Sequence, residues 1–398
     1  MTKEVCKAEF VDTLVPLFPD VTKDHLAEIF LQASIECASS HEQFKCLRFE
    51  RTVFVLPKAN AFYVTLKQKD LNHINSTLKT LQLNKQLRKI LGIFSKIGFV
   101  QKHGSVNKCN PMIRIDLGSR PAFEVKAKVS RFVSSENCLD ANQEAQKKIN
   151  EEMKYREDYN DDLNTPKIEY HGYYIGRRKG EECLKHLEVS ELCDRDLHEL
   201  IHSKCKKIGE YYSFSESDKY NILYQILSIL HLLHDDGIVY GDMKPENIYI
   251  RRDEPKQFIA KLGDFGDLAE RHKLHGTNGT HNYWSPEHIR YEFTKHPNDQ
   301  TKIGFATDIW CFGWVLVHLF QLKKPIWYQP LLDFLNNSDW GTYIRYLHAM
   351  STYDKIPCPA TGSLQEQLLW HCWRLDPQER WKTDDLMHLL ETQSGVTP

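Results

Sequence analysis

Several absences narrow this 398-residue chain before any motif is read. Neither sign of charge dominates. With 52 basic residues against 54 acidic ones, the field that draws a protein to a polyanion is missing, and no nucleic-acid partner is expected. No hydrophobic run is long: Ile309–Phe320 is too short to span a bilayer and contains His318, so membrane insertion is not expected. The first ten residues also lack the apolar core of a secretory signal. Cysteine occurs without a framework. Eleven is an odd number and no two are spaced C-x-x-C, so neither a disulfide scaffold nor a zinc site is expected, and the thiols read as free in a reducing, intracellular setting, cytoplasmic or nuclear. Internal repeats and low-complexity linkers are missing as well.

What is present falls into blocks, as a chain of this length suggests two or three domains. Residues 1–95 read as an α+β region: helices at Ala8–Phe18 and Lys23–Ala38, a hairpin of Arg51–Leu56 and Phe62–Lys67, and a helical stretch from Asp70 to Phe94. Residues 96–190 look mixed, with short strands around one charged helix, Asp140–Asp158. Residues 191–392 are mostly helical and 393–398 form a tail.

The informative stretch is Ile238-Val-Tyr-Gly-Asp-Met-Lys-Pro-Glu-Asn-Ile-Tyr-Ile250. An amphipathic helix, Asp218–His234, ends at Asp-Asp-Gly, and a short apolar strand then delivers Asp242, Lys244 and Asn247. Polar residues wedged between buried segments are costly unless they line a site. After a hairpin, Phe258-Ile-Ala-Lys-Leu-Gly-Asp-Phe-Gly266 ends on a second aspartate, Asp264. This set suits phosphoryl transfer. The hard oxygens of Asn247 and Asp264 can hold Mg²⁺ on nucleotide phosphates, Asp242 can accept the proton of an incoming hydroxyl, and Lys244 can steady the transferring group.

The segment resembles the catalytic loop of the eukaryotic-type protein kinase superfamily, followed by its Asp-Phe-Gly element. The likeness continues downstream. Gly279-Thr-His-Asn-Tyr-Trp-Ser-Pro-Glu287 is similar to the substrate-docking loop and Ala-Pro-Glu element, Asp308-Ile-Trp-Cys-Phe-Gly313 to the start of the large buried helix, and Asp376-Pro-Gln-Glu-Arg380 to the late motif. The resemblance implies an α+β, two-lobed fold, with a β-rich N-lobe at 96–190, a helical C-lobe at 191–392 and residues 1–95 as an additional α+β region. It also implies that Arg380 bonds Glu287 and that Asp308 braces the catalytic-loop backbone.

Two departures stand in the catalytic loop, where the family commonly has His-Arg-Asp and this chain has Tyr240-Gly241-Asp242. Tyr240 still offers a ring to pack on Phe265. Gly241 removes the arginine that reads an activation-loop phosphate, so activity without that phosphate is expected. The N-lobe matches less well. Lys126, in Phe123-Glu-Val-Lys-Ala-Lys128, is the candidate nucleotide lysine, with Lys128 its rival and Lys67 set aside. Glu152, with Glu151 as the alternative, is its candidate ion-pair partner. The phosphate-covering loop is expected at 103–110, between strands Gly98–Lys102 and Met112–Leu117, where only Gly104 survives of the family's three glycines; a second alignment, on Leu91-Gly-Ile-Phe-Ser-Lys-Ile-Gly98, keeps two glycines but leaves an overlong gap to Lys126. Glu191 and Cys193 read as the linker under the adenine, Ser190 as the gatekeeper, and Asp196 as a ribose acid or a surface loop aspartate.

Lys244 and Thr280 follow the Ser/Thr pattern, so the expected activity is transfer of phosphate from ATP with Mg²⁺, or Mn²⁺, to Ser or Thr of a protein substrate. The N-terminal region offers a place for a further partner. A pseudokinase scaffold and a small-molecule phosphotransferase are the rival readings. A virus or an intracellular bacterium would suit such a divergent chain, which would place it in a host cell.

Overall fold

The computed structural model describes residues 11–12, 22–24, 27, 45–48, 52–56, 61–65, 107–116, 123–132 and 139–396, except 160–164, 179–180, 203–211, 254–256, 271–278, 296–302 and 360. Most of the helices expected before residue 95, the strand expected at Gly98–Lys102, and Gly104 lie outside these residues.

Contacts group the chain into two units. One comprises residues 1–157 and 167–192, the other 158–166 and 193–398. The first is built on a seven-stranded antiparallel sheet. In chain order its strands are β1 (Lys45–Arg48), β2 (Thr52–Leu56), β3 (Ala61–Thr65), β4 (Asn107–Asp116), β5 (Phe123–Phe132), β6 (Ile168–Arg178) and β7 (Glu181–Glu191). In space β7 lies between β5 and β6. The hairpin expected in the N-terminal region is present as β2 and β3, and Leu56 stands opposite Ala61. Those strands join the same sheet as β5, because β3 pairs with β4 from Ala61↔Asp116 to Thr65↔Met112.

That pairing corrects the expected phosphate-covering loop. Residues 107–110, assigned to the loop, are the first turnless stretch of β4, and their backbone pairs with Lys128–Arg131 of β5. Pro111 is compatible with this because β3 pairing stops at Met112, leaving the position beside it without a ladder partner on that side. The neighbour of β4 on that edge is β3 rather than a strand at 98–102.

Helix α1 (Leu139–Asp158) completes this unit. Ile149, Glu152, Met153 and Arg156 fall at helical spacing and are all buried. Arg156 is in turn paired with the buried Glu188 of β7.

The second unit is mainly helical. It contains β8 (Arg195–Asp196), α2 (Leu197–His202), α3 (Glu216–Asp235), β9 (Ile238–Val239), β10 (Ile248–Asp253), β11 (Gln257–Leu262) and β12 (Ala269–Glu270). Helices α4 (Pro286–Thr294), α5 (Phe305–Phe320), α6 (Tyr328–Asn337), α7 (Trp340–Asp354), α8 (Leu364–Cys372) and α9 (Thr383–Ser394) follow. Its centre is α5, on which Ile309 through Val317 are buried. Trp310 and Trp314 of that helix meet Trp327 and Trp373 with ring centroids 5.1–6.0 Å apart, and none of the four is more than 1% exposed. Gly313 makes this approach possible, since a Cβ there would stand 2.5 Å from Trp373 Nε1. Burial of such rings contributes on the order of 2–3 kcal/mol each, more than offsetting the ~1 kcal/mol cost of a mid-helix glycine. No helix among the described residues is long and apolar enough to cross a membrane.

Candidate active site

Helix α3 begins two residues before the sequence pattern predicts, because Ser215 closes a capping box. Its hydroxyl accepts from Asp218 N at 3.1 Å, while Asp218 accepts from Ser215 N at 2.8 Å. The face carrying Ile222, Ile226, Ile229, Leu230 and Leu233 is buried. The helix is released at Asp236, and Gly237, at φ +77°, reverses the chain into β9. The residues after β9 are therefore delivered from a buried platform.

The loop itself is held from below. Asp308, 0% exposed at the start of α5, accepts from the backbone N–H of Tyr240 at 2.8 Å and of Gly241 at 2.9 Å. His234 Nε2 lies 2.9 Å from the same carboxylate. Tyr240 is fully buried, donates to Gly263 O, and meets Phe265 edge to face with centroids 6.0 Å apart. Burial pushes its phenol well above the ordinary value, and the Asp264 and Asp242 charges add to that, so it stays a neutral donor. Lys244 is extended at φ −159° as a residue before proline must be, and Pro245 opens a single 3₁₀ turn that ends on Asn247.

Four predicted or discussed residues converge here. Lys244 Nζ is paired with Asp242 Oδ2 and donates to Thr280 Oγ1 at 2.7 Å. Thr280 donates to Asp242 Oδ1 at 2.8 Å. Asn247 Nδ2 donates to Asp242 Oδ2 at 3.0 Å and to its backbone oxygen at 2.9 Å. The catalytic-loop carboxylate is thus fixed in rotation by three side chains. This closed circuit is what a proton acceptor needs to be held in one geometry.

Asp264 arrives on the β10–β11 hairpin, whose register runs from Ile248↔Leu262 to Asp253↔Gln257. Gly263 follows because a Cβ there would lie 2.3 Å from the Tyr249 ring. Asp264 is exposed and adopts φ 54°, a left-handed conformation that costs a non-glycine residue about 1 kcal/mol and that aspartate tolerates best. The strain turns an exposed carboxylate out of the strand while Phe265 goes into the core at 1% exposure.

One site residue was missed in the sequence. Asp267, just past Asp264-Phe-Gly266, accepts from the backbone N–H of Gly279. Its carboxyl is raised by burial, then by the Asp242 and Asp264 charges, with the Gly279 N–H and Lys244 opposing. The three carboxylates and Lys244 thus act on one another electrostatically, and the exposed Asp264 carboxylate and the Asn247 amide oxygen are hard donors of the kind Mg²⁺ takes. The signal available in the sequence was an acid directly after the Asp-Phe-Gly triplet.

The downstream braces agree with expectation. Arg380 donates from Nη1 and Nη2 to Glu287 at 2.6 and 2.7 Å, with both side chains buried. Burial alone would raise the Glu287 carboxyl, but Arg380 and its hydrogen bonds outweigh this and leave it below the ordinary value.

Of the other expected residues, Lys126, Lys128, Glu151, Glu152, Ser190 and Glu191 belong to the first unit, and Cys193 and Asp196 to the second. Lys126 lies in β5 opposite Met112 and Glu191, and Lys128 opposite Asn110 and Val189. Glu152 is buried at 3%, whereas Glu151 is exposed and stands 4.0 Å from Lys147 on its own helix. Ser190 is buried, and Glu191 is half-buried, its backbone N–H donating to Lys167 O at 2.8 Å. Cys193 is buried. Asp196 is no surface loop aspartate: it is 3% exposed, and Oδ1 accepts Glu199 N at 2.9 Å, capping α2.

Comparison with known proteins agrees with this geometry. The family model described as protein kinase domain matches residues 138–390. Mitogen-activated protein kinase kinase 10 of Arabidopsis thaliana is 30% identical over 178 residues, covering 44% of this chain and 53% of the relative. Calcium/calmodulin-dependent protein kinase type II of Caenorhabditis elegans is 28% identical over 180 residues, 42% of this chain and 24% of the relative. Calcium/calmodulin-dependent protein kinase cmkB of Emericella nidulans is 36% identical over 129 residues, 31% of this chain and 28% of the relative. The matched region therefore spans about half, or less, of each of these relatives.

Proposed function

The chain belongs to the protein kinase family, and from that premise we propose that it is an active Ser/Thr protein kinase that needs no activation-loop phosphate. The observation that carries this reading is the closed circuit of Asp242, Lys244, Thr280 and Asn247. A scaffold has no chemical need for it.

In this reading ATP is the donor and a protein hydroxyl the acceptor. The hydroxyl oxygen attacks the γ-phosphorus, the bond to the β–γ bridging oxygen breaks, and the hydroxyl proton passes to Asp242. Lys244 offsets charge on the moving phosphoryl group. Asn247 and Asp264 would hold Mg²⁺, or Mn²⁺, which would supply positive charge to offset that of the nucleotide phosphates. In the sheet unit, Lys126 with Glu152 would anchor the phosphates and the backbone at Gly104 would cover them. Glu191 and Cys193 would meet the adenine through the main chain and Asp196 the ribose. Thr280, which binds both Asp242 and Lys244, supports the Ser/Thr assignment.

Independence from phosphorylation is supported by Gly241 and Asp267. Gly241 adopts φ +84°, and a Cβ there would lie 2.8 Å from Asp267 O. The position favours glycine on both counts, and the phosphate-reading arginine is absent. The Asp267 carboxylate instead ties the start of the Gly279–Thr280 segment from within the chain.

The test is transfer of radiolabelled phosphate from ATP to generic protein substrates. Asp242→Asn should lower turnover by on the order of 10²–10⁴ while ATP binding persists. Asp264→Asn should abolish both Mg²⁺-dependent binding and transfer. Equal activity of both variants and wild type would remove the enzyme reading and leave a scaffold. Phosphorylation of small molecules alone would favour the rival phosphotransferase.

A further inference from the structure

The stretch His198-Glu199-Leu200-Ile201-His202 places two imidazoles four residues apart on α2, the spacing at which helical side chains share a face. A third imidazole, His318, comes from α5. One ring nitrogen from each of the three lies within 4.8 Å of the others. His202 Nε2 and His318 Nδ1 are 2.8 Å apart, and the His198–His202 centroids are 4.6 Å apart. A carboxylate adjoins the group, with Glu246 Oε1 3.9 Å from His198 Nε2. We propose that His198, His202 and His318 form a Zn²⁺ site that clips α2 to α5 and, once Glu246 swings in as fourth donor, to the Pro245–Asn247 turn.

The donor set is what the ion takes: imidazole nitrogens and a carboxylate in a tetrahedron. Metal–nitrogen bonds of about 2.0–2.1 Å put neighbouring ligand nitrogens ~3.3 Å apart, so the 2.8 Å contact must open by about half an ångström. His202 is exposed and free to make that shift.

Two details limit what the site can do. Glu199, which in this motif would activate water, is paired with Arg195, so the arrangement is a structural clip and not a hydrolase. Lys324 Nζ stands 3.4 Å from His318 Nε2 and opposes a divalent charge, although burial loosens its own proton. The cysteine spacing that argues against zinc says nothing about these histidines, which reach one another only after folding.

The test uses the full chain stripped by chelator and titrated with Co²⁺, then Zn²⁺, as the metals alone. The expected result is one tetrahedral Co²⁺ spectrum per chain, without thiolate charge-transfer bands, displaced by Zn²⁺. Binding should weaken at least tenfold in His202→Ala, an exposed position that leaves the fold intact, and in His318→Ala, and should tighten in Lys324→Met. Thermal stability should rise with Zn²⁺ in wild type but not in His202→Ala. Unchanged binding in His202→Ala, thiolate bands, or no saturable binding would each overturn the site. None of these readouts depends on phosphoryl transfer.

Discussion

The two units carry their candidate functional residues on different elements, a loop between buried segments in one and a strand of an antiparallel sheet in the other. In the helical unit Asp242 is fixed by Lys244, Thr280 and Asn247, the loop backbone by Asp308, and Glu287 by Arg380. In the sheet unit Lys126 is placed by main-chain register, opposite Met112 and Glu191. Backbone pairing constrains position without dictating side chains, whereas a buried charge needs its particular partner.

The sharpest way to break this contrast is to remove one buried partner. Arg380→Ala leaves Glu287 ionised and buried, at an expected cost of about 3–5 kcal/mol, read as a lower midpoint in denaturant. Replacing both, Arg380→Met with Glu287→Leu, should recover much of that loss. The pH sign follows from the Glu287 shift. Its folded value lies below the ordinary 4.5, so the contribution is present above pH 4.5 and is lost as pH falls beneath it. A single variant as stable as wild type would show that the pair is ornamental.

In the sheet unit the comparison is sharpened by three lysines. Lys126→Met should lose on the order of 10² in activity, the worth of a charge-assisted contact of about 1.5–3 kcal/mol, while Lys128→Met and Lys67→Met keep most of theirs. Loss through Lys128 would place the functional face two residues along β5. Loss through Lys67 would mean that the boundary between residues 1–95 and the kinase-like domain is misplaced.

The difference between units also explains what the sequence makes legible. The contacts of Asp308, Glu287 and Arg380, and the meeting of Asp242 with Lys244 and Asn247, can be expected in advance because a buried charge restricts both residue type and spacing. The first residues of β4 could not be separated from a glycine loop. Asn107, Lys108, Cys109 and Asn110 have no strand pattern, and only their pairing with β5 makes them one. Asp196 read as a ribose acid or a surface loop aspartate, and its burial to 3% exposure at the start of α2 depends on packing that the local sequence does not announce. Asp267 was passed over because its partner, the Gly279 N–H, is a backbone group twelve positions away that no side-chain pattern announces.

A smaller effect separates two glycines of the helical unit. Gly237 and Gly241 have φ of +77° and +84°, but a Cβ at Gly237 meets nothing within 4 Å, whereas at Gly241 it meets Asp267 O at 2.8 Å. Gly237→Ala should cost about 1 kcal/mol, the backbone term alone. Gly241→Ala should cost about 1–3 kcal/mol and lower turnover too, since the displaced main chain carries Asp242. Equal stability and activity of the two variants would mean that the close approach has no functional weight.

The smallest expected effect is the most diagnostic of regulation. Among hydroxyl residues between Gly266 and Thr280 only Thr277 precedes the docking loop, and it lies outside the described residues. Thr280 is already committed to Asp242 and Lys244, so a phosphate there would break the circuit and inhibit. A phosphate on Thr277 would find no arginine at Gly241, and Asp267 already holds the Gly279 N–H that such a phosphate would help to order. Phosphatase-treated protein and Thr277→Ala should therefore phosphorylate an external substrate within tenfold of untreated wild type, less than about 1.4 kcal/mol of barrier. A larger drop in either would establish a phosphate switch, and Asp267→Asn would then decide whether the carboxylate and the phosphate act on the same Gly279 segment or on different ones.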